Sequence, residues 1–222
     1  MMNALKRKLK SDLFFNIIIY AMGLLIVLLV LIPLLFVVAA SFSDPDLVIK
    51  GKVLLLPKGI TLKAYTMVFE NEDIWRGFLN SCFYTVSGTF ISVVLTIIAA
   101  YPLSRRKLPG RNLFMMAILF TMYFSGGMVP TYLLVRDLGM YNTIWALLIP
   151  SAISTYNLIV AKTFFENSIP EELYESATLD GCGNIQMLLR IVIPLSKAII
   201  AVLILYYAVG IWNAYFDALI YL

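Results

Sequence analysis

Histidine is missing from the sequence altogether, which removes the commonest general base and the commonest metal ligand together. Charged residues are scarce, at 14% of the chain, too few to cover the surface of a soluble domain of 222 residues. There are two cysteines, Cys82 and Cys182. They lie far apart and in no metal-ligand spacing, so both read as small, unpaired apolar residues. No G-x-x-x-x-G-K-[S/T] phosphate loop occurs; Gly51-Lys52 lacks both the preceding glycine and the following hydroxyl. The chain therefore carries no nucleotide-hydrolysing site of that kind. No apolar run holds a nucleophile beside a base, so nothing points to an enzyme, a cofactor or a metal. The net charge of +4 does not imply nucleic acid, because the positive residues flank apolar runs.

What is present is apolar: 61% of residues are hydrophobic and the mean hydropathy is +0.90. Residues 13–40 contain no charge. At about 1.5 Å per residue they exceed the roughly 30 Å of a bilayer's hydrocarbon. A cleaved signal peptide is the rival reading, but its apolar core would run to only about 7–15 residues. Four more apolar runs follow, at about 78–103, 113–135, 143–160 and 198–216. The pattern predicts an all-α, polytopic transmembrane helix bundle with five spans. Residues 1–12 form a basic tail bearing Lys6, Arg7, Lys8 and Lys10, and Arg105, Arg106, Lys107 and Arg111 follow the second run. With both groups in the cytoplasm the N-terminus is inside, residues 41–77 form an outer loop, and the tight turn at Arg136-Asp137 is outside. Residues 78–222 then form the main membrane domain, with residues 162–197 cytoplasmic. The third run carries Ser125-Gly126-Gly127 and Pro130, which predict a bend. Such a bend either lines a pathway or is a packing kink.

Residues 163–194 are too patterned for a plain connection. Ser168-Ile169-Pro170-Glu171 predicts a capped helix start, the helix runs on to Asp180, and Gly181 is its natural stop. Ile169, Leu173, Ser176 and Ala177 share one face at helical spacing. A second short helix over about 184–191 reaches Pro194, which turns the chain into the last run. An amphipathic helix lying on lipid would be basic. This one carries Glu171, Glu172, Glu175 and Asp180, which favours a groove on a protein partner.

Glu175-Ser176-Ala177, then Gly181, then Ile191-Val192-Ile193-Pro194 resembles the EAA loop of binding-protein-dependent ABC importer permeases. Ser176 stands for the usual alanine and Ile193 for the usual leucine. The longer string from Ile169 to Gly181, with Gly126-Gly127-Met128-Val129-Pro130-Thr131-Tyr132 and Trp212-Asn213, is similar to the maltose-type carbohydrate permeases, especially those for complex oligosaccharides. The resemblance covers nearly the whole chain. It implies a type I, MetI-like permease of the cell membrane that couples closure of an ATPase to alternating access. It implies as partners a second homologous permease, two ATP-binding cassette subunits, an extracellular solute-binding protein and an oligosaccharide. Glu172, Glu175, Ser176, Ala177, Asp180, Gly181 and Pro194 are the expected ATPase-coupling residues. Tyr123, Tyr156, Asn157, Trp212 and Asn213 are polar or aromatic residues in spans that fit a sugar pathway, with Tyr215 beside them; helix packing explains each equally well.

The family core has six spans and the chain shows five, which reads as a C-terminal truncation. A permease for another solute, or a non-transporting remnant, are the alternatives. The first would share the loop but not the Gly126–Tyr132 and Trp212-Asn213 strings.

Overall fold

The computed structural model describes the backbone of residues 2–222 and the side chains from Phe15 onward. The basic side chains of the tail, and with them the orientation expected of it, lie outside the described residues. Among the described residues there is no β-strand. The chain divides into two compact units, residues 1–76 and 77–222.

The first unit begins with α1 (Met2–Ser41). From Phe15 to Ser41 this helix is 27 residues long and apolar on every face, and its side chains from Phe15 to Val38 are exposed. A helix of this length that is apolar all round has the character of a membrane span. The residues that follow α1 fold back onto its end. The Ser43 hydroxyl, 1% exposed, donates to the Ala39 carbonyl at 2.6 Å and accepts the Lys58 N–H at 3.0 Å. Tyr65 donates to the Ser41 hydroxyl at 2.9 Å and packs its ring 5.4 Å from that of Phe42. Two short helices form here, α2 (Pro45–Ile49), capped by Asp44, and α3 (Lys63–Glu70).

Helix α4 (Glu72–Ser104) starts before the unit boundary and runs through the second apolar run. Gly88, Ser92, Thr96 and Tyr101 lie along its buried side. A Cβ at Gly88 would come within 2.8 Å of Ile211 Cδ1 and 3.2 Å of Leu148 Cδ2, so this glycine lets two neighbouring segments approach α4 closely.

The third run is broken more sharply than a kink. Helix α5 (Arg111–Tyr123) and α6 (Met128–Asp137) meet at 114°. The break is set by Gly127, at φ +87° and ψ 173°, a region essentially confined to glycine. Pro130 is not the breaker: it sits in the first turn of α6, where an N–H has no intrahelical partner to lose. Nor does the chain turn at Arg136-Asp137, which still belong to α6. The turn comes at Gly139, φ +71°, where the Gly139 and Met140 N–H groups close back on the Arg136 and Val135 carbonyls.

The fourth run is not one helix. It comprises α7 (Trp145–Leu148), a non-helical stretch, and α8 (Thr155–Ser168), whose first turn is capped by the Ser154 hydroxyl. The segment after α8 gives α9 (Glu171–Leu179), α10 (Asn184–Met187), a π-helical turn over Leu188–Val192 and α11 (Ile193–Leu195). The π turn accommodates Pro194, which has no N–H for the Arg190 carbonyl. The chain then bends by 84° at Ser196, two residues beyond Pro194, into α12 (Lys197–Trp212). The last run ends there rather than at Phe216, and α13 (Tyr215–Tyr221) follows a break at Asn213 and Ala214. Among the described residues two helices, α1 and α4, are long and apolar enough to cross a membrane alone, and there are up to four spans, against the five expected, if each bent pair counts as one.

The main core of the second unit joins Val93, Ile97 and Ala100 of α4, Ala161 and Phe165 of α8, Tyr174 and Ala177 of α9, and Leu203 and Tyr207 of α12. Tyr207 adds a polar tie: its hydroxyl shares a 2.6 Å hydrogen bond with Thr96 and accepts the Ser154 N–H at 3.0 Å.

Candidate functional site: the α9 segment and its clamp

Helix α9 starts and stops for different reasons from those its sequence suggests at one end. Ser168 does not cap it; Ser168 is the last residue of α8, and Pro170 occupies the N-cap position with no side-chain hydrogen bond. Glu171 and Glu172 in the first turn supply favourable charge against the helix dipole. At the other end Gly181 has φ +77°, and the Gly181 and Cys182 N–H groups donate to the Thr178 and Ala177 carbonyls at 3.0 and 2.9 Å. That paired closure is a Schellman motif.

The inward face is Ile169, Tyr174 and Ala177, all under 10% exposed. Leu173 and Ser176, expected on the same face as Ile169 and Ala177, are exposed instead. The difference comes from the helix start: with Ile169 outside α9, the register counts from Glu171, and Tyr174 and Ala177 form the i, i+3 pair. Of the expected coupling residues, Glu172, Glu175, Ser176, Asp180 and Gly181 gather on the exposed side and end of α9. Ala177 points into the chain's own core, and Pro194 lies apart in α11. Leu179, 89% exposed beside Gly181, and Ile185, 75% exposed, add apolar surface that the sequence reading passed over.

The basic connection after α4 grips this segment. Arg105, the residue that follows α4, lays its guanidinium carbon 3.5 Å from the centroid of the Tyr174 ring and pairs with Glu171 at 3.6 Å. Glu171 and Tyr174 are i, i+3 neighbours on α9, so one cation engages both. Lys107 pairs with Glu175 at 3.6 Å, both well exposed. Arg111 pairs with Glu166 of α8, and its Nε donates to the Leu103 carbonyl of α4 at 2.8 Å. Lys162 shares Glu166 at 2.6 Å. Burial, more than the nearby Arg111 charge, pushes Lys162 below the usual lysine value. Burial likewise pushes the Tyr174 hydroxyl above the usual tyrosine value, against the opposing pull of Arg105. Arg105, Arg111, Glu166 and Tyr174 were not singled out as site residues; the signal for them was a basic stretch, 105–111, and an acidic stretch, 166–180, of opposite sign on one predicted side of the membrane.

The expected pathway residues separate. Asn157, buried at 6% exposure, lines a cavity of about 270 Å³ with Ser154, Tyr206 and Asp217. Trp212 lines an adjoining cavity of about 330 Å³ with Ser81, Tyr84, Tyr215 and Asp217. Tyr123 and Asn213 line neither; the Asn213 amide is turned back to the Val209 carbonyl at 2.7 Å. Tyr156 is 54% exposed, with its ring 6.4 Å from that of Tyr206. Asp217, common to both cavities, lies just past the last apolar run and had not been singled out. Cys82 and Cys182 are both unpaired.

Three comparisons bear on this arrangement. Residues 59–221 match the family described as "binding-protein-dependent transport system inner membrane component". The chain is 44% identical over 208 residues to the polygalacturonan/rhamnogalacturonan transport system permease protein YtcP of Bacillus subtilis (strain 168), covering 94% of this chain and 72% of that one. It is 45% identical over 192 residues to Protein LplC of the same organism, covering 86% of this chain and 65% of that protein. The fold superposes on a chain from a crystal structure of a bacterial ABC transporter involved in import of the acidic polysaccharide alginate, with TM-score 0.91 and 35% identity, covering 96% of this chain and 75% of that one. The chain thus spans roughly two thirds to three quarters of the length of these relatives. The family is one of membrane transport components and not of enzymes. With the match covering α4 to α13 and the whole α9 segment, this chain belongs to the family of binding-protein-dependent transport system inner membrane components, with a MetI-like permease fold.

Proposed function

We propose that this chain is the membrane-spanning permease subunit of an ATP-driven importer of oligosaccharides, acting with a second homologous permease, two ATP-binding cassette subunits and an extracellular solute-binding protein. The observation that carries this reading is α9: a short helix closed at Gly181, clamped from behind by Arg105, with Glu172, Glu175, Ser176, Asp180 and Leu179 left outward. A rigid helix with an acidic and apolar outward side suits a cleft on a nucleotide-driven partner. Closure of the ATPase pair would pull on α9 and so on the spans, opening the pathway to each side in turn. The carbohydrate class rests on the names of the relatives, which handle polygalacturonan, rhamnogalacturonan and alginate. The Asn157 and Trp212 cavities, with hydroxyl, amide and aromatic groups, offer the contacts a sugar requires. The N-terminus and residues 163–194 lie in the cytoplasm in this reading.

The test is co-purification with the ATPase subunit. Gly181→Asp removes the residue that closes α9 and adds a negative charge at the outward end, and it should weaken ATPase association while the chain still inserts. Undiminished ATPase recovery with the variant would sink the assignment of this surface.

A further inference from the structure

We propose that Arg105 is the positioning residue that makes α9 and α4 move as one body, a proposal that rests on α9 being the ATPase-coupling helix. Arg105 directly follows α4, so no loop residue stands between it and that helix. Its side chain is 19% exposed and the Tyr174 ring beneath it is 3% exposed, so the stack is largely shielded from water, where a cation over an aromatic face is strongest. The 3.6 Å separation from Glu171 is an ion pair and too long for a hydrogen bond. The hold on α9 is therefore the guanidinium lying over the Tyr174 ring, assisted by the charge of Glu171. A second cation, Arg111, ties the start of α5 to the end of α4 and to α8. The ends of α4, α5 and α8 thus form one block on the side of α9, and α9 is fastened to that block by Arg105. The other charged tie, Lys107 to Glu175, joins two exposed side chains, which in water contributes little. Apolar packing also joins α9 to the end of α4, with the Tyr174 ring 6.4 Å from that of Tyr101, and Arg105 adds a charged contact over the same Tyr174 ring.

A guanidinium suits this place better than an ammonium, because it is planar and weakly hydrated and so lies closely over a shielded ring, whereas the compact ammonium holds its water more strongly and engages the ring less well. The chain is reconstituted in proteoliposomes with its partner permease, ATPase and binding protein, and labelled oligosaccharide taken up per ATP hydrolysed is measured. Arg105→Ala and Arg105→Lys should each lower that ratio, the alanine variant by about tenfold, with the ATPase still bound in wild-type amount. Arg136→Ala, which breaks an exposed pair with Asp137 elsewhere, should leave the ratio at the wild-type value. A wild-type ratio in Arg105→Lys overturns the proposal, whether or not Arg105→Ala folds. Absence of ATP-dependent oligosaccharide uptake by the unaltered complex would instead remove the transport reading on which the proposal rests.

Discussion

At Gly181 nothing lies within 4 Å of a built Cβ, so the position demands only a left-handed backbone. Gly181→Ala should therefore cost about 1 kcal/mol and Gly181→Asn less, read as a shift in thermal unfolding of the detergent-solubilised chain. Phe165 differs: at 1% exposure in the main core, its truncation to alanine should cost about 3–5 kcal/mol by the same measurement. Tyr174 carries the one pH statement this site supports. Its hydroxyl titrates above the usual tyrosine value, so the stability it contributes is complete below the unfolded value of about 10 and is lost only as pH rises through the higher folded value. The seating of α9, followed by proteolysis between Ile169 and Gly181, should accordingly not change from pH 6 to pH 9 on this residue's account. The Gly181 stop was legible because an αL closure depends on one residue and its own turn. Arg105 was not, because its partners lie more than sixty positions away in sequence.

At the level of elements, the third apolar run shows how local chemistry can be identified correctly and located wrongly. Glycine and proline together signal a bend, and a 114° bend is present. The glycine at φ +87° makes it, while the proline occupies the first turn of the next helix. Pro130→Ala should thus cost less than about 1 kcal/mol, whereas Gly127→Ala forces a side chain into a glycine-only region at a cost of order 1–3 kcal/mol. Thermal unfolding of the two variants side by side decides between glycine and proline as the breaker. The fourth run, 143–160, looked like a span by apolarity alone, yet it is split between α7 and α8 by a non-helical stretch. Apolar composition measures affinity for hydrocarbon and does not specify that the backbone stays helical; Tyr207 and the Ser154 cap satisfy groups that the break frees.

For the whole molecule, membrane residence follows from α1, which has the length and apolarity of a membrane span, and from the family to which the chain belongs. Orientation is read from where α9 can be labelled. Single cysteines placed at Ser176 and at Leu179 in a Cys82→Ser, Cys182→Ser background should react with an impermeant maleimide from inverted vesicles and not from intact cells. Labelling from intact cells would reverse the assigned sides of α9 and of the Arg105–Arg111 connection together.

The sequence by itself determined that the chain lives in lipid, that it is helical, where α9 ends and which family it resembles. Those properties depend on composition, on periodicity and on short strings, all local quantities. Only the tertiary structure decided that Ala177 faces inward while Leu179 faces out, that Arg105 lies on Tyr174, and that Asp217 joins the cavities of Asn157 and Trp212. Each of these turns on which distant segments pack together, and packing in a close-filled interior is settled by shape and volume across the whole unit, not by any one stretch of chain.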